Sequence, residues 1–61
     1  MIPEDVRNRL ASYYFLNSIE ESFENKLVDR LTMAMLQSNE QISENELVDI
    51  GIKLIKEYLE Q

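Results

Sequence analysis

The segment from Ile42 to Leu59, I-S-E-N-E-L-V-D-I-G-I-K-L-I-K-E-Y-L, constrains the fold more than any other part of the chain. Ser43 followed three residues later by Glu46 fits a capping box, in which the serine oxygen accepts a first-turn backbone N–H and the glutamate reaches back. Ile42 before the cap and Leu47 at the fourth helical position add a hydrophobic staple. A helix therefore begins at residue 44 and is expected to run to about residue 60. Leu47, Val48, Ile50, Gly51, Ile52, Leu54, Ile55, Tyr58 and Leu59 spread over an arc of roughly 200°, well beyond the stripe of an ordinary surface helix. So wide an apolar face needs two neighbours. One is the preceding helix, and the other is either the first helix or a second copy of the chain.

Upstream, Pro3 followed by Glu4 and Asp5 marks a helix start. Proline suits the first helical position, and early acids complement the helix dipole. Val6, Leu10, Tyr13 and Tyr14 then follow helical spacing. The run Tyr13–Leu16 places four large apolar residues in succession, more than one stripe can hold. A second stripe of Leu16, Ile19, Phe23, Leu27, Leu31 and Ala34 is rotated from the first by roughly 90°. A break at Asn17–Ser18 accounts for the rotation, with Ser18-Ile19-Glu20-Glu21 as a capping box for a second helix. One continuous helix over 3–38 is the alternative. The polar stretch Gln37–Gln41 suits a short connection, which makes the second and third helices antiparallel neighbours in a helical hairpin. The expected architecture is an all-α, three-helix domain over 1–61, with helices at about 3–16, 19–37 and 44–60.

Size adds a demand for support. In 61 residues there is no Cys and no His, so neither a disulfide nor an ordinary zinc site can reinforce a core that supplies only ~3–5 kcal/mol at this length. Association with another chain remains, and a homodimer through the third helix and part of the second is expected. Met33, Met35 and Leu36 fall partly off the main stripe, and methionine adapts well to binding surfaces. With Leu47, Ile50, Gly51, Leu54, Ile55 and Tyr58 they are the interface candidates. Gly51 is the only glycine and lies inside a helix, where it costs roughly 0.5–1 kcal/mol relative to alanine. A close approach by a neighbouring backbone, from this chain or its copy, would explain it.

Charge and residue types narrow the function. Twelve acidic against six basic residues give a net charge of −6, unfavourable for nonspecific binding to nucleic acid or anionic membrane. No apolar run approaches a membrane span, and M-I-P-E-D lacks the basic start of a signal peptide, so a cytoplasmic location is expected. Without His or Cys, and with no serine in a nucleophile motif, no catalytic residue is assigned. The pairs Glu4/Asp5, Glu20/Glu21 and Glu44/Glu46 sit in first turns, where acids stabilise helices. The acidic run Asn39–Asp49 lacks the spacing of a calcium loop, and one glycine cannot form a phosphate loop. No metal or cofactor is expected. Tyr13, Tyr14 and Phe15 either form an interaction hot spot or seal the corner between the first two helices.

From Ser43, S-E-N-E-L-V-D-I-G-I-K-L-I-K-E-Y-L resembles the second helix of ribbon-helix-helix repressors in its capping Ser, its E-L step and its small residue followed by Ile. The resemblance implies a DNA-binding transcriptional repressor, a dimer in which this helix packs on its symmetry mate. It also implies a strand over Ser12–Ser18, with Tyr14, Leu16 or Asn17 facing DNA and Arg7 and Arg9 as an arm on the phosphates. That segment holds no Arg, Lys or Gln, the side chains that most often read bases. The residues themselves favour a small non-enzymatic regulatory or adaptor protein that binds itself and another protein through helix faces.

Overall fold

The computed structural model describes residues 2–39 and 41–61. Three helices form: α1 over Glu4–Leu16, α2 over Glu21–Gln37 and α3 over Glu44–Leu59. Among the described residues there is no strand. Pro3 stands just outside α1 rather than as its first residue, at φ −58° and ψ 144°. Its carbonyl accepts from the N–H groups of Val6 and Arg7 at 3.1 and 3.2 Å. Starting there, Val6 and Leu10 face inward one turn apart.

The break between the first two helices is present, but Ser18 has a different role from the one its sequence context suggests. Its φ is +53°, left-handed, and it terminates α1. Ile19 N–H donates to the Tyr14 carbonyl at 3.0 Å and Ser18 N–H to the Phe15 carbonyl at 3.4 Å. This is the bonding of a Schellman motif, which satisfies carbonyls that a helix end leaves without partners. Ile19, just past the left-handed residue, turns into the core. The capping box expected at Ser18 is therefore not formed. Glu20 precedes α2 without a side-chain cap, and α2 starts two residues later than expected.

α2 ends similarly, with Asn39 at φ +57° and its N–H donating to the Leu36 carbonyl at 3.2 Å. Of the polar connection Gln37–Gln41, Glu40 lies outside the described residues. At the start of α3 the Ser43 hydroxyl oxygen accepts from Glu46 N–H at 3.1 Å. The same hydroxyl donates to the Glu46 carboxylate at 3.3 Å, so the glutamate reaches the serine side chain. Ile42 packs against the core, in which Leu47 is buried.

The core is entirely apolar: Ile2, Val6, Leu10, Ile19, Leu27, Leu31, Leu47, Val48 and Ile55. α3 packs against both α1 and α2, whereas α1 and α2 scarcely meet. Both neighbours that the wide face of α3 requires are thus within its own chain. On one side Phe23 stacks on Tyr58, with ring centroids 4.0 Å apart and planes 22° from parallel. On the other, Gly51 receives the side chain of Leu10. The close neighbour of the glycine is a leucine of α1, not a backbone.

Candidate protein-binding surface

The interface candidates fall into three groups. Leu47, Gly51 and Ile55 are buried within the chain. Met35, Ile50, Leu54 and Tyr58 are half-buried against the core. Only Met33 and Leu36 are largely open to solvent, at 57% and 63%. They lie one turn apart on α2, roughly 150° from the line of Leu27 and Leu31, and so on its outer side. The structure does not gather the candidates into one free patch, because the chain's own packing takes up most of the α3 set.

The most exposed apolar side chains are at the end of α1: Phe15 at 85% and Leu16 at 76%. Leu16 therefore does not join the stripe of Ile19, Leu27 and Leu31, and Phe15 does not seal the corner between the first two helices. Their signal in the sequence is the run Tyr13–Leu16. With Val6 and Leu10 inward, Phe15 falls roughly 160° away around the helix.

Because α1 and α2 lean on α3 rather than on each other, a groove of about 600 Å³ opens between them. Ile2, Glu4, Arg7, Asn8, Leu10, Ala11 and Tyr14 line one wall, and Glu24, Asn25, Val28 and Leu31 the other. Toward the end of α1 a second depression shares Ala11, Tyr14 and Glu24 with it and adds Phe15, Ser18 and Ile19. Burial raises the Tyr14 phenol above its ordinary pKa of 10.0; the Glu24 carboxylate adds to the rise and Arg7 opposes it. The tyrosine is therefore a neutral hydrogen-bonding group in a wall of mixed apolar and polar side chains. Such a groove can hold an apolar or amphipathic side-chain face.

Ser12–Leu16 is helical, so the strand implied by the repressor resemblance is not formed. Arg9 donates to the Asn45 side-chain carbonyl at 2.9 Å, linking α1 to the first turn of α3, and Arg7 faces the groove. Among the described residues, no group of three or more acidic side chains is placed to hold a metal ion. No described helix is long and apolar enough to cross a membrane. Compared with family models, curated proteins and solved structures, the chain matches none.

Proposed function

We propose that the chain is a small non-enzymatic regulatory or adaptor protein that forms a homodimer and binds a second protein through exposed helix faces. The observation that carries this reading is the exposure of Phe15, Leu16, Met33 and Leu36, each more than half open to solvent. Large apolar anchors open to solvent are what a protein interface uses. The net charge of −6 favours a basic partner surface by electrostatic complementarity. The arrangement of α2 and α3 as an antiparallel hairpin fits the stack between Phe23, at the start of α2, and Tyr58, at the end of α3. The scaffold is then a rigid hairpin with α1 laid against it.

Affinity capture with the full chain, run beside a Met33→Glu/Leu36→Glu variant and a Phe15→Glu variant, tests the reading. Specific proteins held by the wild type, released by raised salt and lost from one of the variants are the expected result. Identical capture by all three chains would overturn binding through these faces. A monomeric mass for the wild type in light scattering would remove the homodimer.

A further inference from the structure

We propose that the groove between α1 and α2 is the homodimer surface, and that each copy seats its Phe15 in the groove of the other. This deepens the homodimer reading and rests on it. The groove's two halves meet at Ala11, Tyr14 and Glu24, and Ala11 is small enough to let two α1 helices cross closely. Phe15 stands at one end, 85% exposed. The wider half, lined by Ile2, Arg7, Val28 and Leu31, lies toward the start of α1.

A two-fold axis at Ala11 with the α1 helices antiparallel sets Phe15 of one copy at the level of Arg7 of the other, since each lies four residues from the crossing. The ring then enters the half of the groove that its own chain leaves open. The same operation carries Arg7 of each copy toward the end of the other's groove that Glu24 lines beside Phe15, so Glu24, which shares the wider half with Arg7 of its own chain, gains a second cation. Two opposite-charge contacts result, and they counter the repulsion between chains of net charge −6. Arg7 also comes beside the aromatic ring, where a guanidinium is favoured.

Surface area supports a covered face. The chain exposes 4576 Å², against roughly 4,100 Å² for a compact monomer of its mass. A standard interface hides about 800 Å² on each partner, and a paired α1–α2 groove is where this fold has unfilled surface to give.

Sedimentation equilibrium of the full chain, with circular dichroism to verify helicity, tests the proposal. Phe15 is exposed, so Phe15→Ala leaves the fold intact and is expected to weaken the dimer about tenfold or more by removing the ring that fills the partner's groove. Arg7→Glu and Glu24→Arg each weaken self-association alone. Mixed together they form a heterodimer in which both contacts are opposite in sign, an outcome that packing within one chain cannot produce. A wild-type dimer unaffected by Phe15→Ala but dissociated by Met33→Glu/Leu36→Glu would overturn the groove and keep the homodimer. A wild-type monomer at all concentrations would overturn both.

Discussion

Leu10 of α1 occupies the space that a side chain at position 51 of α3 would need. A Cβ built on Gly51 would lie 2.7 Å from Leu10 Cδ1 and 2.9 Å from Leu10 Cδ2, closer than carbon atoms pack. Leu10 is 1% exposed, and the groove between α1 and α2 is the open direction into which it can yield. Overpacking costs about 1–3 kcal/mol, while alanine gains up to ~1 kcal/mol over glycine in a helix. Gly51→Ala is therefore expected to lose about 1 kcal/mol in urea unfolding. With Leu10→Ala already in place, the same substitution should become neutral or stabilising, and a cost unchanged by that background would place the strain elsewhere.

The two serines read from the sequence as caps should separate cleanly. Ser43→Ala removes the acceptor for Glu46 N–H and is expected to cost about 1 kcal/mol. Ser18 is in the left-handed region, which glycine enters without steric cost. Ser18→Gly should thus raise the thermal midpoint, whereas a true N-cap would lose stability on the same change.

Phe23 and Tyr58 join the start of α2 to the end of α3. A double-mutant cycle with Phe23→Leu and Tyr58→Leu should return a coupling of about 0.5–1.5 kcal/mol. A value near zero would mean that the rings contribute by burial alone.

Alkaline pH should act through Tyr14. Its pKa is raised in the folded chain, chiefly by burial, so the folded state holds the phenolic proton more tightly than the unfolded state does. The resulting stability is complete below the ordinary tyrosine pKa of 10.0 and is lost as pH rises through the folded value. Wild type is expected to lose stability relative to Tyr14→Phe as pH rises above 10.0. Parallel pH profiles of the two proteins would remove Tyr14 as the cause.

Helix identity was legible because it rests on local chemistry. Ser43 with Glu46, acids in first turns and apolar residues at three- and four-residue spacing all favour helix before any tertiary contact forms. Ser18 misled because the same S-x-x-E pattern is compatible with the end of one helix or the start of the next. The left-handed turn that decided it was set by Ile19 entering the core, a tertiary effect. The α3 interface candidates misled for a related reason: periodicity marks an apolar face but not which neighbour covers it. Leu10 and Phe23 belong to other helices, and only the assembled chain shows that they take up Gly51 and Tyr58. Phe15 and Leu16 were signalled by the crowded run Tyr13–Leu16, but their exposure follows from the phase that Val6 and Leu10 impose on α1 by packing inward, a tertiary choice.

The position of α3 as the one helix that touches both others has a consequence for when the chain can fold. α1 and α2 share almost no contact of their own, and the partner of Leu10 is Gly51, about forty residues further on. A nascent segment holding only α1 and α2 would have two amphipathic helices with no common core, and isolated helices of this length are marginal in water. The fold therefore waits for its last helix to be made. Until then its leucines remain open to chaperones or to neighbouring copies of the chain.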